Sequence, residues 1–452
     1  MPSSVSQATA SDKIASTGAQ RLSRETLMAH FERVRAATES LAAPLTPEDQ
    51  MLQSMEDASP ARWHRAHTTW FFETFVLKPH DPTYQPVDPI YDYLFNSYYQ
   101  SVGPQYPRPN RGLVSRPSVA EVGTYRSQVD AALLSFAQST DDDTWQTIAP
   151  LIELGLHHEQ QHQELLVTDL KHALSFNPMW PAVYPAPQNQ SDAAPALGWV
   201  DFPGGITMCG HSGDLTNDGF AYDCEGPRHQ VLLRDYALAT RPTTNAEYLE
   251  FVRDGGYTDP RWWHAEGWDR AQADQWQAPL YWIQDDTASD TWTTYTLYGR
   301  VDVNPHEPVC HISFFEAAAY AAWRSEQGCD VRLPTEFELE HAAAGLEPAG
   351  NFAGPQPGQS ALHPKSADGE AQLKQVFGDV WEWTQSAYTP YPGFKPVAGA
   401  IGEYNGKFMA NQMVLRGGSV ATAENHMRAT YRNFFPAHAR WQFSGLRLAR
   451  DT

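Results

Sequence analysis

Two histidines four residues apart, His158 and His162, are the residues of this chain best placed to do chemistry. They lie in a stretch that reads as a helix, where side chains at i and i+4 share one face with Cβ atoms about 5–6 Å apart, so two imidazoles can converge on one metal ion. The same spacing also occurs by chance on surface helices. A second apolar helix upstream carries His64 and His67 and can supply a third ligand. The pattern therefore predicts a metal site between two helices.

The N-terminal part of the chain, up to about residue 175, is predicted to be helical. Apolar residues recur at helical spacing over Ser23–Leu41, and the pair Ser59-Pro60 is a start signal for the helix that carries His67. Two further helices are predicted over Val119–Phe136 and Trp145–Leu174, the second of which holds the histidine pair. Four main helices predict an up-and-down bundle, in which metal sites are built from side chains on facing helices.

A change in composition divides the chain into domains. Residues 1–20 are rich in Ser, Ala and Thr and are expected to form a disordered tail, and residues 21–176 form the bundle. Residues 177–197 contain five prolines and read as a linker. From residue 198 to 452, short apolar segments alternate with Gly, Pro, Asn and Asp, which predicts an α+β domain with little regular structure. Helices are predicted there over Thr244–Arg253, Phe314–Gln327 and Pro334–Ala344.

Charge and cysteine usage exclude several kinds of partner. The 32 basic and 54 acidic residues give a formal net charge of −22, which repels phosphate backbones and anionic membrane surfaces. Neither nucleic acid nor a membrane is therefore expected as a partner, and no run of about 18 apolar residues could span a bilayer. The N-terminus lacks the apolar segment of a signal peptide. The four cysteines lie far apart without a CxxC pair, so a disulfide framework is not expected. This cysteine usage favours a protein of the reducing cytoplasm.

Seven blocks in the C-terminal half resemble the formylglycine-generating-enzyme/sulfatase-modifying-factor domain, which has a C-type-lectin-like fold. In the family's order they are Gly204–Met208, Glu225–His229, Pro242–Tyr248, Arg332–Glu336, Gly378–Trp383, Arg416–Ser419 and Gly445–Arg447. The N-terminal half resembles the DinB-like bundle that precedes this domain in the sulfoxide synthases of ergothioneine biosynthesis. The two resemblances imply a DinB-like four-helix bundle followed by a C-type-lectin-like domain, an α + (α+β) fold.

The resemblance implies that His67, His158 and His162 bind Fe(II). Three neutral imidazoles suit this ion and leave an open face for a thiolate and dioxygen. No carboxylate belongs to the implied ligand set, and the thiolate substrate can supply the anionic ligand instead. An iron site with these ligands is the cofactor expected for the protein.

Other polar residues of the two histidine helices are predicted to stay outside the metal site. Glu159 is not expected to act like the general base of a zinc protease, because the third ligand precedes the HxxxH pair rather than following it. His64 and His157 lie at other helical angles than the ligands and are predicted to be bystanders.

Residues of the histidine helix and of the C-terminal domain match substrate-contact positions of these synthases. Gln161 precedes the last ligand and is expected to contact the methylated histidine substrate, directly or through water. Asn433 matches a region that contacts the trimethylammonium and carboxylate groups, and nearby Phe434, Phe435 and Trp441 could attract a quaternary ammonium by cation–π interaction. Core packing is the alternative role for these aromatic residues.

Arginines are the candidates to hold a substrate carboxylate, because a guanidinium group can bind it through two parallel hydrogen bonds. Arg108, Arg111 and Arg440 are the candidates here. Asp57, just before the second helix, either contacts a substrate or only marks the end of a helix.

Tyr98 and Tyr99 resemble the active-site tyrosines of one branch of the family and are predicted to be catalytic. A second pair, Tyr388 and Tyr391, matches the place where another branch has its catalytic tyrosine. A phenol with a pKa near 10 can donate a proton during oxygen activation without being charged beforehand. The sequence leaves open which of Tyr98, Tyr99 and Tyr388 is the donor.

The resemblance implies a mononuclear non-haem iron enzyme that uses O2 to join hercynine (trimethylhistidine) to a thiol and oxidises the sulfur to the sulfoxide. The thiol is cysteine or γ-glutamylcysteine, and the sequence does not decide between them. It is also silent on the oligomeric state.

Other functions are compatible with parts of the pattern. Formylglycine synthesis is disfavoured, because its active-site cysteines follow the RGGS block and residues 420–435 contain none. An ovothiol-type synthase would use plain histidine, and a further variant would use a selenium donor; ovothiol-type enzymes commonly carry a methyltransferase domain, whereas this chain stops at Thr452. An alternative of another class is a ligand-binding or stress-response protein with a remnant metal site.

Overall fold

The computed structural model of the protein describes residues 23–187, 193–214, 218–285, 291–354, 362–396, 402 and 405–452. The predicted disordered tail, residues 1–20, lies outside the described residues, as do residues 188–192 of the predicted linker. The structure therefore covers most of the two predicted domains.

Within the described residues, four long helices form the N-terminal bundle, as predicted. In chain order the helices of this half are α1 (Arg24–Ala42), α2 (Ala61–Phe72), α3 (Lys78–His80), α4 (Tyr91–Phe95), α5 (Val119–Ser139) and α6 (Asp142–Ser175). A π-helical turn, Glu73–Leu77, continues α2, and 3-10 turns lie at Asp49–Met51 and Arg108–Leu113. The long helices α1, α2, α5 and α6 pack against one another around a common apolar core.

Side-chain caps explain where the last two bundle helices begin. Ser118 and Glu121 form a reciprocal capping box at the start of α5. The Asp141 carboxylate accepts a hydrogen bond from the backbone N–H of Thr144, so α6 begins at Asp142 rather than at the predicted Trp145. With 34 residues, α6 is long enough to contact both halves of the molecule.

Gly155 allows α6 to approach α2 closely beside the histidines. A Cβ at this position would lie 2.5 Å from the ring of Phe72 and 2.9 Å from the ring of Phe71. Phe71 also packs against His158, with ring centroids 4.8 Å apart. A larger residue at 155 would therefore push apart the two helices that carry the histidines.

The C-terminal half combines short helices and short strands, as predicted for an α+β domain. Its helices are α7 (Asn245–Arg253), α8 (Ala265–Ala273), α9 (Phe314–Arg324) and α10 (Glu336–Ala343). Helix α8 was not predicted from the sequence. The predicted helix over Phe314–Gln327 ends at Arg324 and passes into a π-helical turn, Ser325–Cys329, in which Gly328 has φ +86°.

Small sheets form the scaffold of this half. The strands are β1 (Trp199–Phe202), β2 (Gly205–Cys209), β3 (His229–Leu233), β4 (Tyr236–Ala239), β5 (Trp282–Ile283), β6 (Thr293–Thr296), β7 (Gly299–Asp302), β8 (Trp381–Ala387), β9 (Met413–Arg416), β10 (Asn433–Phe435), β11 (Ser444–Gly445) and β12 (Ala449–Asp451). In the part of the chain that is described, they pair in the orders β1-β4-β12, β10-β9-β8-β11, β2-β3 and β5-β6-β7. The sheet around β8 and β9 faces the bundle through Trp381 and the loop that follows β9.

One apolar core runs from the bundle into the C-terminal half. Polar contacts join the same two halves: the carboxylate of Glu164 on α6 accepts hydrogen bonds from Trp381 Nε1 at 2.7 Å, Ser419 Oγ at 2.6 Å and Thr422 Oγ1 at 2.8 Å. Helix α6 is therefore the main bundle element at the interface. Even so long a helix does not qualify as a membrane span, and neither does any other helix among the described residues.

Candidate metal centre and substrate cleft

His67 on α2 and His158 and His162 on α6 each bring one ring nitrogen to within 4.8 Å of the other two. Nε2 of His67 lies 3.1 Å from Nε2 of His158. His67 and His158 are buried and His162 is partly buried. The predicted ligands from two helices therefore converge at one point, in the arrangement that a bundle uses to hold a metal ion.

The environment of these rings keeps them neutral. Burial lowers the pKa of His158 to about 3, and burial together with the neighbouring histidines lowers the pKa of His67 and of His162 well below the usual value. Nδ1 of His67 lies 2.6 Å from the carbonyl oxygen of Phe95, so its hydrogen is on Nδ1 and Nε2 presents a lone pair to the cluster. Neutral imidazoles with a fixed tautomer are the form that binds metals.

Aromatic residues fix the orientation of His67. The ring of Trp63 stacks on it with centroids 4.6 Å apart and 11° between planes, and Trp70 lies against it at 5.6 Å and 18°. Trp63 is held by a hydrogen bond from its Nε1 to the carbonyl oxygen of Leu94. The ring of His67 therefore has little freedom to turn away from the cluster.

Glu159 points into the bundle core between α1 and α5 and is not among the three converging residues. Its carboxylate accepts hydrogen bonds from Arg35 Nη1 at 2.8 Å, Arg126 Nη2 at 2.9 Å and Thr38 Oγ1 at 2.6 Å. Burial alone would raise its pKa, but the two guanidinium groups hold it down to about 2. Glu159 is thus an ionised structural residue of the bundle core.

The expectation that His64 is a bystander is wrong. Its Nδ1 lies 2.8 Å from Nδ1 of His162, and its Nε2 lies 3.1 Å from Oδ2 of Asp169. His64 precedes His67 by three residues, so the two rings share a face of α2. Asp169 follows His162 by seven residues, two helical turns, and this spacing is the sequence signal that could have found it.

Gln161 faces the C-terminal half instead of the cluster's interior. Its Nε2 donates a hydrogen bond of 2.6 Å to the hydroxyl of Tyr431. Nε2 of His426 lies 3.3 Å from the same hydroxyl, and Nδ1 of His426 lies 3.0 Å from Nδ1 of His157. His157 therefore belongs to the domain interface and not to the metal cluster.

Comparison with protein families matches each half of the chain to a known domain. The DinB superfamily matches residues 30–166, and the sulfatase-modifying factor enzyme 1-like domain matches residues 186–452. These matches agree with the helical bundle and the α+β half described above.

Similar proteins share both halves. The hercynine oxygenase of Mycolicibacterium smegmatis is 32% identical over 419 residues, which cover 87% of this chain and 91% of the relative. The hercynine oxygenase of Mycobacterium tuberculosis is 31% identical and covers 95% of this chain and 99% of the relative. The chain belongs to the hercynine oxygenase family. A match to the ergothioneine biosynthesis protein 1 of Schizosaccharomyces pombe has 29% identity and covers 51% of this chain and 28% of that protein.

The predicted catalytic tyrosines of this hercynine oxygenase family member lie on the two sides of the interface. Tyr99 is buried against Trp70, with ring centroids 5.7 Å apart, so one ring separates it from His67. Tyr98 stacks on Tyr99 at 4.7 Å and meets Phe408 of the C-terminal half edge-on at 5.3 Å. Tyr388 lies on the C-terminal side next to Cys224; burial and this thiol raise the pKa of its phenol well above the usual value.

The three candidate arginines have different surroundings. Arg108 is half-exposed and donates to the backbone oxygen of Asp57, whose carboxylate lies 4.0 Å from it. Arg440 pairs with the buried Glu316 at 2.8 Å. Arg111 is buried and donates to Ser59 Oγ, and within the described part of the chain no carboxylate forms an ion pair with it. Arg111 is therefore the one of the three that lacks a carboxylate partner among the described residues.

A cavity of about 490 Å³ lies between the bundle and the C-terminal half. Asp57, Arg440 and Trp441 are among its lining residues, and the ring of Phe435 packs edge-on against Trp441 at 5.8 Å. The Asn433 side chain lies on β10 and accepts a hydrogen bond from the backbone N–H of Phe434. The structure thus brings Asp57 and Arg440 to one cavity, while Phe435 only packs against the lining residue Trp441, and Asn433, like Phe435, lies on β10.

Proposed function

We propose that this protein is a non-haem Fe(II), O2-dependent sulfoxide synthase of ergothioneine biosynthesis. In this proposal it joins the imidazole carbon of hercynine to the sulfur of cysteine or γ-glutamylcysteine and leaves the sulfur as the sulfoxide. The observation that carries it is the convergence of His67, His158 and His162 between helices α2 and α6. The membership of the chain in the hercynine oxygenase family supports the same reaction.

The donor set of the cluster fits Fe(II). Three neutral nitrogen ligands would hold the ion without supplying an anion, so an anionic substrate atom is needed to complete the set. A thiolate meets this requirement. When bound, the iron would supply the oxidative chemistry with O2, while the chain's own residues bind and orient the two substrates.

Arg111 supports an anionic thiol substrate. Burial, and then the neighbouring Arg108, lower the pKa of its guanidinium well below the usual value, which shows how poorly its charge is compensated by the chain. Its guanidinium lies over Trp63 at 3.4 Å, and Trp63 stacks on the ligand His67. A substrate carboxylate bound there would be held next to the metal cluster by a charge-assisted hydrogen bond.

Aromatic rings on the C-terminal side support recognition of a quaternary ammonium group. Phe434 stacks on Tyr388 with centroids 4.1 Å apart and lies 5.9 Å from Phe408, which in turn meets Tyr98. Such a wall favours a trimethylammonium group by cation–π attraction over the hydrated ammonium group of plain histidine. Gln161 would contact the imidazole of the same substrate.

Tyr98 and Tyr99 are proposed to supply the proton that commits the reaction to carbon–sulfur coupling. The loop that carries them is fixed by Asn96, whose Nδ2 donates to the carbonyl oxygen of Tyr99 and whose Oδ1 accepts from its N–H. Only one ring, Trp70, separates Tyr99 from His67. A phenol in this place can donate its proton without prior ionisation.

The proposal is tested with metal-free protein that is loaded anaerobically with Fe(II) and a thiol and then exposed to O2. Oxygen uptake should require hercynine, and the product should be the sulfoxide conjugate detected by mass spectrometry. Replacing hercynine with histidine distinguishes the ovothiol-type reaction, and cysteine and γ-glutamylcysteine are compared as donors in separate arms. Iron binding without oxygen uptake in any arm would favour a protein with a remnant metal site and would contradict the proposal.

A further inference from the structure

A chain of hydrogen-bonding groups leads from the ring of His162 through His64 to the carboxylate of Asp169. Nδ1 of His162 lies 2.8 Å from Nδ1 of His64, and Nε2 of His64 lies 3.1 Å from Oδ2 of Asp169. His64 and Asp169 are buried. We propose that Asp169, acting through His64, is a positioning residue that fixes the tautomer and orientation of His162 and thereby sets the metal affinity of the site. This inference rests on the metal site of the proposed function.

The direction of each hydrogen bond follows from the carboxylate at the end of the chain. A carboxylate only accepts, so Nε2 of His64 must carry a hydrogen, and a ring with a single hydrogen then has its lone pair on Nδ1. That lone pair can only accept from His162, whose hydrogen is therefore on Nδ1. Nε2 of His162 is then left as the lone pair for the metal.

The reverse arrangement would disable His162 as a ligand. If His64 carried its hydrogen on Nδ1, it would donate to Nδ1 of His162, and the hydrogen of His162 would have to be on Nε2. The unprotonated Nε2 of His64 would also face Asp169, where two acceptors would repel each other. Asp169 thus selects one of two proton arrangements, and only the selected one leaves a ligand atom.

Asp169 is itself held by groups that can only donate. Its Oδ2 also accepts from the backbone N–H of Ser59 at 2.8 Å, and its Oδ1 accepts from Nε1 of Trp441 at 3.2 Å. Ser59 precedes α2 and binds Arg111 through its hydroxyl, whereas Trp441 comes from the C-terminal half and lines the cavity. The outer support of His162 is therefore built partly by the second domain.

These donors make asparagine a poor replacement at 169. Asn would present an amide N–H2 to either Trp441 or the Ser59–His64 side, where donors already point. If the amide turned toward His64, it would donate to Nε2 and reverse the proton arrangement. The Asp169→Asn variant therefore changes hydrogen bonding with almost no change in shape.

Glu164 offers a matched control on the same helix. It is also a carboxylate of α6 that accepts from a tryptophan indole of the C-terminal half, Trp381, but its other hydrogen bonds come from Ser419 and Thr422 rather than from a histidine next to the cluster. Glu164→Gln should disturb the domain interface at least as much as Asp169→Asn, because three of its partners come from the C-terminal half. It should leave the tautomer of His162 unchanged.

The test measures Co(II) affinity of the metal-free full-length chain by competition with a chelator, with the Co(II) absorption spectrum as a second readout. Asp169→Asn should weaken Co(II) binding about 10- to 100-fold, while Glu164→Gln should change it less than about 3-fold. Equal losses in both variants, or no loss in Asp169→Asn, would overturn the proposal. This readout does not depend on turnover, so it separates failure of this inference from failure of the proposed reaction.

A second pair of variants decides the matter if Asp169→Asn does not fold. Gln at 64 can accept with its carbonyl oxygen and donate with its amide, which reproduces both roles of the His64 ring. His64→Gln should therefore keep more Co(II) affinity and a more native absorption spectrum than His64→Phe, with the melting temperature of the metal-free form as the folding control. A His64→Phe variant that binds Co(II) as well as His64→Gln would overturn the proposal.

Discussion

The two faces of helix α6 use histidine in different ways. Toward the bundle, His158 and His162 direct ring nitrogens at each other and at His67, an arrangement that leaves lone pairs to share with an added ion. Toward the C-terminal half, His157 lies against His426 and stacks on Phe220 with centroids 3.8 Å apart, and Gln161 and Glu164 bind partners across the interface. The first face holds the proposed ligand set, and the second contacts the C-terminal half.

A lowered pKa does not distinguish the two faces. Burial lowers the pKa of His426 well below the usual value, with a further contribution from Arg428, just as burial lowers that of His162. What distinguishes them is geometry: convergence of nitrogens from two helices, and outer hydrogen bonds at Nδ1 of His67 and Nδ1 of His162. Metal binding should therefore depend on residues of one face only.

Loss of a ligand should give the largest effect. Replacing His158 or His162 with Ala should lower iron affinity by about 100-fold or more and abolish turnover, because the two imidazoles that remain, one on each helix, cannot replace three. The metal content of the purified protein and its Fe(II) titration measure this. Folding is checked by circular dichroism.

The neighbouring face supplies the control for the ligand variants. His157→Gln should keep stoichiometric iron, since His157 contacts His426 and Phe220 rather than the cluster. The distinction between the faces fails if His157→Gln loses iron as completely as His158→Ala does.

Tyrosine variants should give the next largest effect and should show which domain supplies the proton. Tyr98→Phe or Tyr99→Phe removes only a hydroxyl, so stability should change little, but product should shift from the sulfoxide towards the thiol's sulfinic acid. General acids contribute about 100-fold or more to a rate, so a shift of about that size in the product ratio is expected. Products are quantified by mass spectrometry with iron content unchanged.

Tyr388→Phe is the comparison from the C-terminal half. Its phenol lies beside Cys224, and burial together with this thiol raises its pKa well above the usual value. If Tyr388→Phe alone changes the product ratio, the donor belongs to the C-terminal half. If none of the three variants changes the ratio, proton delivery by tyrosine is wrong.

Variants of the buried Arg111 and of the half-exposed Arg108 should raise the KM for the thiol to different degrees. Arg111→Gln should raise KM for the thiol about 10- to 100-fold, because losing a charge-assisted hydrogen bond costs about 1.5–3 kcal/mol. Arg108→Ala should raise it less than about 5-fold, because Arg108 is half-exposed and water screens its charge. KM for hercynine should change little in both variants, and an equal rise for both substrates would contradict the placement.

The sequence was a good guide to the bundle because its signals are local. Helical periodicity, caps and the spacing of the two histidines all act within a few turns, and the observed α5 and α6 extend the predicted ranges by only a few residues. His67 as the third ligand required the family resemblance, since spacing along the chain cannot show which face of a second helix points inward. The structure brings it to the cluster.

Long-range pairing explains what the sequence could not provide. The charged residues in the prominent motif blocks are engaged with each other: Arg416 and Arg432 bind Glu336, and Arg447 binds Glu382. Asp169 looked like an ordinary helix residue, because its role depends on His64 and on Trp441, more than 100 positions away on either side. Such contacts follow from packing, which no local pattern encodes.

The smallest expected effect is on acid stability, and it should be the same for both faces. Burial keeps His158 and His426 neutral in the folded state, whereas the unfolded chain binds protons on both below about pH 6.5. Unfolding of the metal-free protein therefore takes up protons, and stability falls as the pH drops from 6.5 toward the folded pKa, which is about 3 for His158. Each buried imidazole contributes a slope of up to about 1.4 kcal/mol per pH unit.

His158→Gln and His426→Gln should each remove one such group from the metal-free protein. Between pH 6.5 and 4.5, the free energy of unfolding of each variant should fall by about 2 kcal/mol less than that of the wild type. Urea unfolding at several pH values measures this difference. Only His158→Gln should also lose iron at neutral pH. If the slope of unfolding free energy against pH changes in one variant alone, the two histidines differ in burial as well as in geometry. The pH dependence of folding would then distinguish the face of α6 with His158 and His162 from the face toward the C-terminal half.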